Sequence, residues 1–337
     1  MNVRRIDPHW LIGSLALLLP FAMLLALALG SSHFSSQQLW QGLTGDAGHI
    51  ATIVWQIRLP RVLLAAGVGA VLALCGAVMQ GLFRNPLADP SLIGVSSGAS
   101  VGASVAIVLA SGWLPSLLGL PLTAAAAFAG GLVATLLVYH LATSATGTSV
   151  ATMLLAGIAI TALAGAGGGL LSYFADNATL RRITLWQMGS LSGATFERAV
   201  LMVVLALVLA LWLPRFARAL NALLLGESEA RHLGIAVQRI KRTLIVLTAL
   251  GVGSAVAAAG MVAFVGLVVP HMVRLLAGPD HRYLLPASAL GGALLLVAAD
   301  TLARTIIAPV ELPTGIITAL LGAPFFVTLL YQQRSRI

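Results

Sequence analysis

Charge is what this sequence has least of. Only 9% of its 337 residues are Asp, Glu, Lys or Arg, where a soluble globular chain carries about 25%. An ordinary soluble domain is therefore excluded. The single cysteine, Cys75, lies in an apolar run, which rules out an intrachain disulfide and a cysteine-clustered metal site. Lys241, the one lysine, follows Ile240 and sits in no glycine loop. The chain thus lacks the Gly-Lys pair with which a P-loop holds nucleotide phosphates. No His-Glu-x-x-His helix is present and the seven histidines are scattered, so a zinc enzyme is not expected. The net charge of +9 would suggest nucleic acid in a soluble protein. Here topology accounts for it, because cytoplasmic loops of membrane proteins collect Lys and Arg.

What the chain has in plenty is apolar sequence. Hydrophobic residues make up 59% of it, in runs long enough to cross a bilayer from end to end. The whole of 1–337 therefore reads as one all-α polytopic membrane domain. Spans are expected at 10–30, 58–82, 92–111, 117–141, 149–174, 197–213, 242–262, 264–277, 283–303 and 313–331. The first could pass for a signal peptide, but no small-x-small cleavage site follows and its length suits a span. The eighth is short, because Pro270, His271 and Arg274 interrupt it. Counting it with the N-terminus inside puts Arg4, Arg5, Arg84, Arg215, Arg218, Arg231, Arg239, Lys241, Arg242, Arg274, Arg282, Arg334 and Arg336 in the cytoplasm. Arg58, Arg61, Arg181, Arg182, Arg198 and Arg304 are then outside, thirteen against six. Dropping it leaves eleven against eight. The positive-inside rule favours ten spans and cytoplasmic termini.

Between the spans lie a few polar stretches. Gly81-Leu-Phe-Arg-Asn-Pro-Leu-Ala-Asp-Pro-Ser-Leu-Ile-Gly94 holds two prolines, each of which removes a donor and disfavours helix before it. A tight, rigid loop is expected. Gly94, Gly98 and Gly102 follow at intervals of four, one helix face along which backbones can approach closely, and Gly165 and Gly169 repeat the pattern. Plain close packing explains them better than ligand contact. In the segment of about 176–196, Leu180–Met188 suits a short interfacial helix with Trp186 at headgroup depth. The longest loop, Leu213–Arg242, contains Gly226-Glu-Ser-Glu-Ala-Arg-His-Leu-Gly234, about two helical turns between glycines. Leu223, Leu224, Ala230 and Leu233 give it an apolar edge.

Taken together these stretches resemble the permease subunits of ABC importers for vitamin B12, iron-siderophore complexes and haem, the type II importers. The resemblance runs through Arg58-Leu-Pro-Arg61, Cys75-Gly-Ala-Val-Met-Gln-Gly81, Arg84-Asn-Pro-Leu-Ala-Asp-Pro90, Leu154-Leu-Ala-Gly157 and the 226–234 motif. It continues through Phe264-Val-Gly-Leu-Val-Val-Pro-His271, Ala299-Asp-Thr-Leu-Ala-Arg304, Glu311-Leu-Pro-Thr-Gly315 and Leu321-Gly-Ala-Pro-Phe325, and so covers essentially the whole chain. It implies a ten-helix permease in the bacterial inner membrane. That permease would work as a homodimer with two cytoplasmic ATPase subunits, which hold ATP and Mg, and a periplasmic binding protein. No cofactor or metal would be bound by this chain.

The resemblance also implies roles. Gly226, Glu227, Ser228, Glu229, Ala230, Arg231, His232, Leu233 and Gly234, within about 219–240, would form the coupling helix that enters a cleft on the ATPase. Arg58, Arg61 and Arg304 would receive acidic residues of the binding protein, since guanidinium forks suit carboxylates. Headgroup snorkelling is the alternative for any interfacial arginine, and Asp300, one turn from Arg304, could form an intrahelical pair with it. Asn85 and Leu87 would narrow a cytoplasmic gate, together with Val150 and Ala151, where this sequence lacks the family's hydroxyl-bearing turn.

An ion-coupled secondary carrier is the competing class, but it would place ionisable groups near the membrane midplane. Asp300 and His140 are the candidates, and both fall near span ends. For cargo, Leu180-Arg-Arg-Ile-Thr-Leu-Trp-Gln-Met-Gly-Ser-Leu191 resembles the haem-type permeases more than the vitamin B12 ones. Haem is the preferred reading, ferric siderophore second, cobalamin third. Met188, His140 and His271 could ligate iron, but each reads better as a packing residue.

Overall fold

A computed structural model describes residues 6–30, 34–45, 48–112, 119–144 and 147–334. Arg4, Arg5 and Arg336, counted above for topology, lie outside these. The chain is helical almost throughout: α1 Pro8–Ala28, α2 Ser36–Thr44, α3 Gly48–Thr52, a π-helical turn Ile53–Arg58, α4 Leu59–Leu82, a 3-10 turn Pro90–Ile93, α5 Val95–Gly112 and α6 Gly119–Ala142. A two-residue hairpin pairs Thr143 with Thr148. Then follow α7 Val150–Phe174, α8 Asn177–Gln187, α9 Phe196–Trp212, α10 Ala217–Leu225, α11 Glu227–His232, α12 Val237–Ala259, α13 Val265–Ala277, α14 His281–Thr305 and α15 Thr314–Arg334.

Seven helical stretches are long and apolar enough to cross a membrane, and α5, α13 and α15 are shorter apolar helices. The ten expected spans are thus matched by ten apolar helical stretches among the described residues, with bounds differing by a few residues. The eighth is indeed short, 13 residues with Pro270 inside.

The chain divides into two compact units that interleave in sequence. One comprises Met1–Ala77, Ser190–Ala217 and Val262–Ile337, the other Val78–Gly189 and Arg218–Met261. In the first, α4 is central, its most apolar window being 89% buried. Contact with neighbours is backbone to backbone. A Cβ added at Gly76 would lie 1.8 Å from Gly266 O of α13, and one at Gly69 would lie 2.2 Å from Gly292 O of α14. In hydrocarbon, where lipid tails compete equally for apolar surface, such close approach is what makes helices associate.

The second unit uses the same device between α5 and α6. A Cβ at Gly98 would meet Gly130 O at 2.3 Å, and one at Gly102 would meet Ala126 O at 2.1 Å. Gly94 departs from the expected stripe. It has φ +79 and ends the 3-10 turn before α5, so its freedom serves the turn rather than the packing face. Gly165 and Gly169 also differ from expectation: nothing lies within 4 Å of a Cβ built on either. Their helix, α7, has only 17% of its most apolar window buried, so these glycines do not mediate packing within the chain.

This contrast yields a stability test. Cys75 is buried, so its thiol becomes reactive to a dye only on unfolding. Gly98→Ala should lower the midpoint of thermal unfolding, by overpacking worth about 1–3 kcal/mol. Gly168→Ala, with nothing within 4 Å of the new methyl, should leave the midpoint unchanged or raise it slightly. Equal effects at the two positions would contradict the packing assignment.

Candidate functional site

Two polar clusters stand out, one in each unit. In the first unit, Arg61 near the start of α4 is bound by acids brought from the far end of the sequence. Its Nε donates to both carboxylate oxygens of Asp300 at 3.1 and 3.0 Å, and its Nη2 donates to Oδ1 at 3.0 Å. Nη1 donates to Glu311 Oε2 at 2.7 Å. Asp300 also accepts from the Thr314 hydroxyl at 3.1 Å and faces Arg304 Nε at 3.2 Å. The intrahelical pair considered for Arg304 therefore exists, within a larger network.

The remaining donors of this network turn to the end of α1. A helix C-terminus leaves carbonyls without intrahelical partners and carries partial negative charge, and α1 has no basic residue in its last turn. Arg58 Nη1 donates to Leu27 O at 2.6 Å and Ala28 O at 2.9 Å. Arg304 Nη2 donates to Ala26 O at 3.1 Å, and its Nη1 to Leu29 O at 3.4 Å. The Arg58 guanidinium also lies 4.3 Å over the Phe34 ring, a favourable cation–π placement. Arg58, Arg61 and Arg304 are only 4–5% exposed.

Arg58, Arg61 and Arg304, expected to receive acidic residues of a binding protein, already have acceptors within the chain. Each is buried and directed at acceptors inside its own unit. Sequence spacing showed the Asp300–Arg304 turn. It could not show Arg61 on Asp300, 239 residues apart, nor the role of Glu311 and Thr314.

In the second unit the cluster gathers around the 226–234 motif. α10 and α11 are separated by Gly226, with φ +129. α11 is bracketed as expected, with Gly234 at φ +78. Leu223 and Ala230 are buried, while Leu225 and Leu233 are 69% and 64% exposed. Part of the expected apolar edge holds the motif to its own unit, and Leu233 points outward beside Glu229, Arg231 and His232, all exposed. Ser228, on the same helix, is exposed as well.

Lys241, on the first turns of α12, is 1% exposed. Its ammonium is paired with Glu227, the first residue of α11, and donates to Thr148 O at 2.9 Å. Gln238 accepts from Thr148 N at 3.0 Å. Arg84 lies near the same motif, its Nη1 3.9 Å from the position of a Cβ on Gly226.

The expected gate residues fall into local roles. Asn85 Oδ1 accepts from Leu87 N at 2.9 Å, an Asx turn, and Asn85 N donates to Gln80 O at 3.1 Å, closing the end of α4. Asn85 therefore shapes its loop rather than capping the next helix. Asp89 performs the capping, accepting from Ser91 N at 2.8 Å. Val150 and Ala151 open α7, and the hydroxyl absent from both is supplied by Ser149, whose Oγ accepts from Thr152 N at 3.3 Å. Leu87 is half-buried and Ala151 exposed.

The segment of about 176–196 forms α8, with Asp176 as N-cap. The Thr179 amide holds the Asp176 carboxyl below its ordinary range. Of the side chains considered as iron ligands, His271 packs edge-on to Phe325 at 6.1 Å, while His140 and Met188 are exposed. No group of three or more His, Cys, Asp or Glu could hold a metal among the described residues.

Ten apolar helical stretches among the described residues, with buried, internally paired charge, define a multi-pass membrane protein. The chain belongs to the FecCD transport family, whose model matches residues 18–332. It is 46% identical to the hemin transport system permease protein HmuU of Yersinia pestis over 336 residues, 98% of each chain. It is 43% identical to the vitamin B12 import system permease protein BtuC of Salmonella schwarzengrund, covering 98% of this chain and 97% of that one. A solved structure described as an inward-facing conformation of a metal-chelate type ABC transporter superposes with a TM-score of 0.83 at 34% identity, covering 96% of this chain and 99% of the other. The fold is that of a type II ABC importer permease, and the family is one of permease subunits.

The buried network predicts its own sensitivity. Asp300→Asn should leave Arg61 and Arg304 short of countercharge at a site 1% exposed at Asp300, where breaking a buried ion pair costs about 3–5 kcal/mol. The folded yield in detergent and the unfolding midpoint should both fall sharply, while Asp280→Asn, on an exposed pair with Arg282, should leave them nearly unchanged. A stable Asp300→Asn permease would refute the bracing role.

Proposed function

We propose that this chain is the membrane-spanning subunit of a binding-protein-dependent ABC importer whose cargo is haem. The observation that carries this reading is its identity over nearly its full length to the hemin permease. Relatives named for vitamin B12 are also full-length matches, so ferric siderophore and cobalamin are the cargoes to test against haem. In this reading two copies form the pathway, and two ATPase subunits with ATP and Mg power it from the cytoplasm. A periplasmic binding protein delivers cargo, and both termini are cytoplasmic in the bacterial inner membrane.

The roles follow from position. Residues Gly226–Gly234, with Leu225 and Leu233 outward, form the knob offered to the ATPase. Asn85, Leu87, Val150 and Ala151 lie at the cytoplasmic gate, with Asn85 setting the shape of the loop that carries Leu87. Docking of the binding protein on Arg58, Arg61 and Arg304 would have to draw each guanidinium from its present acceptors. We therefore assign these three to bracing first. Docking falls to the outward surface beside them, where Ile306, Ile307 and Val310 are exposed.

In proteoliposomes holding the permease and its ATPase, haem uptake should require ATP inside and haem-loaded binding protein outside. Uptake driven by a proton or sodium gradient without ATP would overturn the reading in favour of a secondary carrier. Retention of cobalamin but not haem by the binding protein would overturn the cargo alone. In the same vesicles, Asn85→Ala with Leu87→Ala should raise ATP hydrolysis in the absence of binding protein or leak haem. Neither change would remove these two residues from the gate.

A further inference from the structure

The strongest unused observation is the position of the one lysine. A buried ammonium is costly unless paired and hydrogen-bonded, and a buried pair adds little net stability over apolar residues of similar volume. Its value must then lie in what it joins. Lys241 joins three segments of one unit. It stands on α12, binds Glu227 at the head of α11, and donates to Thr148 O two residues before α7. Gln238, three residues earlier and on the same face of α12, accepts from the amide of the same Thr148. Both backbone groups of Thr148 are thus held by α12.

The surrounding geometry makes this a rigid link. Gly147 has φ +118, a backbone conformation that favours glycine, and the Gln238 amide lies against it. The hairpin is closed by Thr143 and Thr148, with hydroxyls 3.0 Å apart, and by Ser149 N donating to Ala142 O at 2.9 Å. Ser149 then caps α7. From Glu227 to the first turn of α7 there is an unbroken run of ionic and hydrogen-bonded contacts. Glu227 keeps a 26% exposed side chain, so the outer end of the run faces the side on which α11 is offered.

We propose that Lys241 is the positioning residue that couples α11 to α7. Displacement of α11 by a partner ATPase is passed through Glu227 and the Lys241 ammonium to Thr148, and so to Val150 and Ala151. The inference rests on the importer reading above, and it assigns to a single ion pair the step between nucleotide hydrolysis and gate movement.

The test uses the assembled transporter in vesicles with haem-loaded binding protein, measuring haem uptake and ATP hydrolysis together. Lys241→Met and Glu227→Gln should each lower haem taken up per ATP hydrolysed by about fivefold or more, the scale of a typical coupling energy between sites. ATP hydrolysis itself should persist. The double variant should be no worse than either single one, because both remove the same link. Should Lys241→Met fail to assemble, Glu227→Gln, on the exposed side of the pair, carries the same prediction. Uptake and hydrolysis falling in parallel, or an unchanged ratio in Glu227→Gln, would overturn the coupling role and leave a merely structural pair. Wild-type vesicles without ATP-driven uptake would instead overturn the importer reading and this inference with it.

Discussion

The structure depends on one constraint: in a bilayer every charge and every backbone group must find its partner inside the protein. The Asp300 carboxylate is where that constraint is met most fully. It accepts from Arg61 and Thr314 and faces Arg304. It lets two guanidiniums remain buried near the end of α1. Of the two, Arg304, together with Arg58, supplies the donors that the last carbonyls of α1 need. α1 itself is only 17% buried over its most apolar window. Apolar packing alone would hold it weakly, because lipid competes equally well for its surface. The ionic cluster is therefore a fastening by which a peripheral helix joins its unit.

Glycine supplies the second form of fastening. Where α4 meets α13 and α14, and where α5 meets α6, main chains touch at distances that admit no side chain. The uncovered glycines of α7 mark the opposite case. A helix so apolar, with so little of its surface buried by its own chain, has a face left for lipid or for a second copy.

Much of this was legible in the sequence, and the reasons are physical. Apolar length specifies spans directly, so the ten stretches were readable, as was the short one broken by Pro270. Gly226 and Gly234 announced a bracketed turn of helix because few other residues adopt positive φ at low cost. Side-chain partners were legible only when local. Asp300 and Arg304, one turn apart, could be paired on paper, whereas Arg61 reaches Asp300 from 239 residues away. For the same reason the internal acceptors of the arginines stayed hidden: sequence gives the depth of a residue along its span, not what fills the space beside it. Gly94 was grouped with Gly98 and Gly102 by spacing, yet its φ of +79 places it in the turn. A four-residue interval carries meaning only once the helix has begun.

Lys241 shows how a rare residue can inform twice. Its isolation in sequence excluded a P-loop, because the phosphate-binding lysine of that motif needs a glycine loop before it. Its burial in the structure then raises the opposite question of why an ammonium should be there at all. An apolar side chain could fill the same space, but it could not hold a carboxylate of α11 and a carbonyl before α7 at once. Three donors on a flexible stem can. The same pair would also keep α11 from being a loose peg: when a partner moves it, the hairpin must follow or the buried ammonium must lose its carboxylate. A transporter needs that alternative to be costly, since hydrolysis without gate movement is waste.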